Sequence, residues 1–256
     1  MTDPSAMASP IDPRSADPLH GDALAGVEFA DNPEPRCAVA LVLDTSGSMH
    51  GRPIAELNAG LQRLAAALKA DALASLRVEI AVVAFGGAVR VTDPSGGASP
   101  PADPADVFTT VDRFEAPTLT ADGDTPMGEA VERALALLRA RKERYRANGI
   151  DYFRPWLLLL TDGRPTDRGW ETAAAEAQAE EARRGVSIYG VGVEGADMRI
   201  LARFCAVDRP PLKLGGLAFA ELFTWLSKSL SAVSQSRPGD QAPLPPVGWA
   251  VADTSN

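Results

Sequence analysis

Cysteine is scarce in this chain: Cys37 and Cys205 are its only two. They fall on separate expected core elements, which fits reduced, buried thiols rather than a disulfide framework and sets the expected location as cytoplasmic. Positive charge is in deficit, 25 Lys plus Arg against 34 Asp plus Glu. The resulting field repels nucleic acid and anionic membrane surfaces, so neither is an expected partner. Long apolar runs are missing too, since none approaches the roughly 20 residues that span a bilayer. Met1-Thr2-Asp3-Pro4-Ser5 offers no basic start followed by an apolar stretch, so no secretory signal is expected. There is no Gly-x-x-x-x-Gly-Lys-Ser/Thr loop to cradle phosphates, and no His or Cys pairs with a nucleophile.

What the chain does have is one domain's worth of alternating patterns between two tails. Residues 1–36 carry seven acidic and two basic residues and are broken by six prolines, a composition expected to stay largely disordered. Residues 235–256 are rich in Pro and Gly and read as a solvated tail, with Pro243-Leu244-Pro245-Pro246 as an alternative polyproline recognition segment. Between them, residues 37–234 alternate strand-like and helical segments. Strands are expected at Cys37–Leu43, Leu76–Phe85, Trp156–Thr161 and Val186–Val193, with a hairpin through Gly86-Gly87 and a short edge strand at Leu212–Leu214. Helices are expected over Arg52–Ala70, Pro126–Ala147, Asp167–Arg184 and Asp197–Phe204, and from Phe219 to about Val233. Asp93–Asp106 reads as a loop. Unbroken runs such as Leu157-Leu158-Leu159-Leu160 are those of central strands buried on both faces. The expected fold class is therefore α/β, a doubly wound and mostly parallel central sheet with helices on both faces.

The chemistry gathers at the ends of the apolar strands. Asp44-Thr45-Ser46-Gly47-Ser48 follows the first one directly, and an Asp and two Ser at alternate positions aim hard oxygen donors at one spot. Gly123-Asp124-Thr125-Pro126 opens a helix, and Thr161-Asp162-Gly163 ends the strongest strand. If those strands are central neighbours, Asp44, Ser46, Ser48, Thr125 and Asp162 meet at the topological switch point. An all-oxygen set favours Mg²⁺, with Mn²⁺ or Ca²⁺ as substitutes, over Zn²⁺. Each motif has a plainer alternative: Asp and Ser cap the helix at Pro53, Asp162-Gly163 makes a turn, and Thr125 is an N-cap whatever else it does.

Asp-x-Ser-x-Ser, a separate Thr, and Thr-Asp-Gly after a hydrophobic strand together resemble the metal-ion-dependent adhesion site of von Willebrand factor A domains, over about residues 36–234. The resemblance implies a Rossmann-like sheet of strand order 3-2-1-4-5-6 and a metal shell of Asp44, Ser46, Ser48, Thr125 and Asp162, partly through water. It further implies a protein-binding role in which a partner's acidic or phosphorylated residue completes the coordination, with no catalytic residues. Met49-His50-Gly51-Arg52 lacks the acidic pair of a neighbouring second site, so one metal is expected. Asp124 stands where the family usually has Gly, and Asp122 is near, so the pull on an acidic ligand is expected to be weakened.

Tyr145–Trp156 running into Thr-Asp-Gly, then Arg164-Pro165-Thr166-Asp167, is similar to the TerY-like proteins of bacterial tellurium-resistance and stress loci. That group is associated with protein kinase and phosphatase partners; its cysteine-rich C-terminal module has no counterpart here. An adaptor for a MoxR-type AAA+ ATPase is an alternative with the same site. A haloacid-dehalogenase-type phosphotransferase would want Asp two residues after Asp44, where Ser46 stands. His50 reads as solvated. Arg139, Arg141, Lys142, Arg144 and Arg146 read as a solvated basic face, or else a docking patch. Tyr152 and Trp156 read as packing residues, and Trp170 as a partner contact or packing.

Overall fold

A computed structural model describes residues 29–93, 101–240, 242–248 and 250–251. Most of the acidic N-terminal segment, the centre of the Asp93–Asp106 loop and the last residues of the C-terminal tail lie outside that range. The chain divides into two compact units, Met1–Pro33 and Glu34–Asn256. In the first, residues 29–33 form a turn closed by the Asn32 N–H on the Phe29 carbonyl, at 3.3 Å.

The second unit is built on β1 (Cys37–Asp44), in which all eight residues are buried. A strand buried on both faces must be covered by helices on both, and the Val/Leu/Ala composition supplies apolar side chains in both directions. β1 pairs in parallel with β2 (Val78–Gly86) on one side and β5 (Trp156–Thr161) on the other. The sheet continues through β6 (Ser187–Gly192) to β7 (Leu212–Leu214). Beyond β2 the hairpin partner β3 (Ala88–Val91) forms the antiparallel edge. The order β3-β2-β1-β5-β6-β7 is the expected doubly wound arrangement, with its topological reversal between β1 and β5.

Register sorts the side chains. Val39, Leu41 and Leu43 lie beside Ile80, Val82 and Ala84 and beside Leu158 and Leu160, and these share one core cluster with α1 (Arg52–Lys69) and α6 (Phe219–Gln235). α1 offers Leu57, Leu61, Leu64 and Leu68, a three-and-four spacing that places one apolar stripe on the sheet. Gly60 lets α6 approach: a Cβ there would run into the Phe223 ring. The alternate residues of the strands face the other way, where α3 (Met127–Ala147) crosses β1 and β2 and packs on α4 (Trp170–Ala182). A five-residue α5 (Met198–Ala202) is capped by Asp197.

Three elements differ from expectation. α2 (Ala72–Arg77) takes the first residues assigned to the second strand, because Asp71 accepts from the Leu73 and Ala74 amides and nucleates a helical turn before β2. β4 (Thr109–Thr110) adds antiparallel pairing at Glu79 and Ile80. The segment read as a solvated tail runs back over the domain instead. The Trp225 Nε1–H donates to the Pro245 carbonyl at 2.9 Å, and β8 (Ala250–Val251) pairs with Lys213 and Leu214.

Candidate metal centre

β1 and β5 are hydrogen-bonded neighbours through Leu43↔Leu160, so the residues that follow them emerge side by side at one crest of the sheet. There the Thr161 hydroxyl donates to Asp44 Oδ2 at 2.5 Å, and the Ser46 amide donates to Asp44 Oδ1 at 2.8 Å. Asp44 is thus held by two donors while fully buried. The Ser46 and Ser48 hydroxyls lie 3.1 Å apart, and Ser48 Oγ donates to Asp162 Oδ1 at 2.7 Å. Thr125 arrives on a separate loop, its Oγ1 3.6 Å from where a Cβ on Gly163 would stand. It is clamped there by a reciprocal pair: its N–H donates to Thr166 Oγ1 at 3.0 Å, and the Thr166 N–H donates to the Thr125 carbonyl at 2.9 Å. Asp44, Ser46, Ser48 and Asp162 are thus joined by one chain of hydrogen bonds, and Thr125 stands beside Gly163, the residue after Asp162.

Backbone bonds hold the third loop against the other two. The Asp122 N–H donates to the Thr45 carbonyl at 2.8 Å, Gly47 N–H to Gly123 at 2.9 Å, and Gly87 N–H to Asp124 at 2.9 Å. So close an approach requires glycine at Gly86, where a Cβ would collide with the Thr45 carbonyl, and at Gly123, where φ is 71° and a Cβ would meet the Gly87 backbone. Asp122 and Asp124 are exposed at this rim, as are Ser48 and His50, so the cluster opens to solvent.

The electrostatics of the site are unbalanced. Burial pushes the Asp44 carboxyl above its usual range, partly offset by the Ser46 and Thr161 hydrogen bonds. Burial also raises Asp162, and the Asp44 charge adds to that. Among the described residues no Lys or Arg forms an ion pair with either carboxylate. Two buried, mutually repelling carboxylates with three hydroxyls and no protein cation fit a hard divalent ion. The donors are carboxylate and hydroxyl oxygens; among the described residues no group of three or more His, Cys, Asp and Glu side chains converges.

Sequence reasoning missed the residues that orient these donors. Thr161 lay inside the quoted Thr-Asp-Gly, but only the β1–β5 register shows that it reaches Asp44. Asp167 was placed on a helix; instead it precedes α4, and its carboxylate accepts from the Gly128 and Glu129 amides, capping α3 from another loop. Trp170 is half-buried, stacks near Phe204 with ring centroids 6.2 Å apart, and sits against Gly128 at the crest.

Most of the basic run of α3 is engaged within the protein rather than simply solvated, although Arg146 is exposed. Arg139 pairs with Glu176 and Glu180, Arg144 with Asp103 and Asp106, and Lys142 donates to the Gly185 carbonyl. Arg146 lies over the Tyr152 ring. Arg141 is 1% exposed and forks onto Glu79 at 2.7 and 2.8 Å. Arg141, read from the sequence as part of that basic face, turns inward instead because Glu79 meets it there. Tyr152 and Trp156 pack against Tyr145 and Tyr189 respectively.

The von Willebrand factor type A domain family matches residues 38–210. No curated protein matches the chain. Among solved structures, a von Willebrand factor type A protein from Catenulispora acidiphila is 21% identical with a TM-score of 0.52, over 77% of this chain and 43% of that one. The pilus adhesin SpaC from Lactobacillus rhamnosus GG, in an open conformation, is 14% identical with a TM-score of 0.58, over 79% and 31% of the two chains. The vWF domain of the type V pili tip protein Mfa5 from Porphyromonas gingivalis is 12% identical with a TM-score of 0.54, over 79% and 97%. The chain spans less than half the length of the first two.

Proposed function

The chain belongs to the von Willebrand factor type A domain family, and from that premise we propose that it is a divalent-metal-dependent protein-binding module. In this reading Asp44, Ser46, Ser48, Thr125 and Asp162 hold a single ion, Mg²⁺ first and Mn²⁺ or Ca²⁺ as substitutes. The observation that carries it is the pair of buried carboxylates, Asp44 and Asp162, at a solvent-open crest, with no Lys or Arg paired to either among the described residues.

When bound, the ion supplies a positive centre able to accept an oxygen ligand from outside. The protein's own groups do the rest. Thr161 and the Ser46 amide fix Asp44, Ser48 fixes Asp162, and Thr166 fixes Thr125, so the donors are ordered before any ion arrives. Exposed Ser48 leaves one side open, where an acidic or phosphorylated residue of a partner protein can dock. Asp122 and Asp124 on the rim weaken that docking by like-charge repulsion. We read the role as binding without turnover: the oxygen donor set suits coordination, and Ser46 occupies the position a phosphotransferase needs as an acid.

The finer assignment is a TerY-like adaptor in a bacterial stress or tellurite-resistance assembly, cytoplasmic, with protein kinase or phosphatase partners. It is supported by the segment Tyr145–Trp156 leading into Thr161-Asp162-Gly163. Among the described residues no helix is long and apolar enough to cross a membrane. The test is thermal denaturation and partner capture with wild type and Asp44→Ala, each with Mg²⁺ and with chelator. A magnesium-dependent rise in Tm and retention of partners only by magnesium-loaded wild type are expected; equal retention in all four samples removes the mechanism.

A further inference from the structure

Below the sheet, at the pole opposite the crest, lies a cavity of about 870 Å³, within the size range of small-molecule sites. Phe153 to Trp156 lead into β5 and Ser187 opens β6 there, while the far ends of those strands carry Thr161 and Gly192 at the crest. Trp156 and Tyr189 form an aromatic floor, their ring centroids 4.5 Å apart, and residues between Ser236 and Leu244 close over one side.

Arg154, Arg184 and Arg209 all line this space. Arg154 spends Nε on the Val186 carbonyl at 2.7 Å and Nη2 on the Glu181 carbonyl at 2.9 Å, which pins the guanidinium and leaves Nη1 without a protein acceptor among the described residues. Arg209 gives Nη1 to Glu181 and lies 4.9 Å over the Tyr189 ring, again with donors to spare. Arg184 is exposed, has no side-chain partner among the described residues, and is held at φ 58°, a conformation that a residue with a Cβ adopts only under strain. Glu181 is already engaged by Arg154 and Arg209, and the exposed Asp208 and Asp240 border the opening. The Tyr189 and Ser187 hydroxyls also lack partners among the described residues.

We propose that this cavity binds a small oxyanion-bearing molecule, a carboxylate or phosphate compound, gripped by Arg154, Arg184 and Arg209 with the Tyr189 and Ser187 hydroxyls as further donors. Guanidinium forks match the two oxygens of such groups, and Arg184 and Arg209 keep donors that no protein acceptor takes up among the described residues. Burial holds Arg154 below the usual guanidinium range, with Glu181 opposing and Arg209 and Arg184 adding to the effect. Burial pushes the Tyr189 hydroxyl up to about 12, so it remains a donor at neutral pH. A purely structural arginine looks different in this protein: Arg141 spends its guanidinium on Glu79 and the Ala105 carbonyl.

The test is isothermal titration calorimetry of the full chain at low ionic strength, with inorganic phosphate and with citrate as probes. One site is expected for at least one probe. Tyr189→Phe keeps the ring stacking and loses one donor to a charged acceptor, so it weakens binding about tenfold. Arg184→Gly weakens binding while raising Tm, because glycine takes that φ without strain. The proposal is overturned if neither probe binds at millimolar concentration, or if both variants bind as wild type does, which would place the anion elsewhere on the surface.

Discussion

Replacing Glu79 by Gln should be among the most damaging single substitutions in the domain, although the two side chains have nearly the same shape. Glu79 is 1% exposed on β2 and meets two guanidiniums: Arg141 forks onto it at 2.7 and 2.8 Å, and Arg36 pairs with it at 3.0 Å. Tyr145 donates to it as well. Gln removes the negative charge that Glu79 places between two buried guanidiniums. Breaking a buried pair in this way costs about 3–5 kcal/mol. Part of the loss is cushioned, because Arg36 also reaches the Glu34 and Leu76 carbonyls and Arg141 the Ala105 carbonyl. A total near the lower end, about 3 kcal/mol, is therefore expected, a large share of the roughly 5–15 kcal/mol that holds a domain folded. Tyr145→Phe, which deletes one hydrogen bond to a charge, should cost about 1.5–3 kcal/mol. Urea denaturation followed by circular dichroism at neutral pH measures both, and added salt should change the Glu79→Gln loss little because ions do not reach the cluster. A loss under about 1 kcal/mol for Glu79→Gln would refute the reasoning, since buried charges of this kind cannot be so lightly compensated. The magnesium response of the still-folded variant should match wild type, as Glu79 lies at the opposite end of the strands from Asp44.

Thr161→Val keeps the shape beside Asp44 and removes its 2.5 Å donor; the magnesium-induced rise in Tm should shrink as affinity falls about tenfold, and an unchanged rise would show that Thr161 does not position the carboxylate. Gly60→Ala improves helix propensity by about 1 kcal/mol but drives a methyl into the Phe223 ring, so a net loss of about 1–2 kcal/mol in urea is expected. Burial pushes both Cys37 and Cys205 up to about 12 from an ordinary value near 9. The folded state therefore resists ionisation, and stability that is whole below the unfolded thiol pKa should drain away as pH climbs from about 9 towards 12, by up to about 1.4 kcal/mol per pH unit for each thiol. Alkylation at pH 8 should accordingly proceed only as fast as the protein opens; rapid labelling of the native state would contradict the burial of these thiols.

The sheet was legible because its signals are local: Leu157-Leu158-Leu159-Leu160 and Cys37–Leu43 are long enough and apolar enough to declare central strands. Asp44, Ser46, Ser48 and Asp162 could be placed at the crest because they lie within a few residues of the ends of β1 and β5, where an α/β sheet must bring loops together. What sequence did not reveal depends on partners far away along the chain. Thr161 reaching Asp44, Asp167 capping α3 and Glu79 receiving Arg141 span 117, 39 and 62 residues, and none follows from a local pattern. The tail was misread for a related reason: its Pro and Gly content suits a solvated segment, but Trp225 Nε1 and the free edge of β7 offer the hydrogen bonds that hold it down.

Asp122, Gly123 and Asp124 are themselves stitched in place through main-chain amides and carbonyls, with glycine fixed only at the middle position. Side chains on either side of that glycine are therefore free to change without loosening the stitching. A lineage could exchange the two aspartates for neutral, basic or aromatic groups and retune which visitor is welcome at the crest, leaving the donors beneath it where they stand. The rim of the crest is replaceable upholstery on a fixed frame.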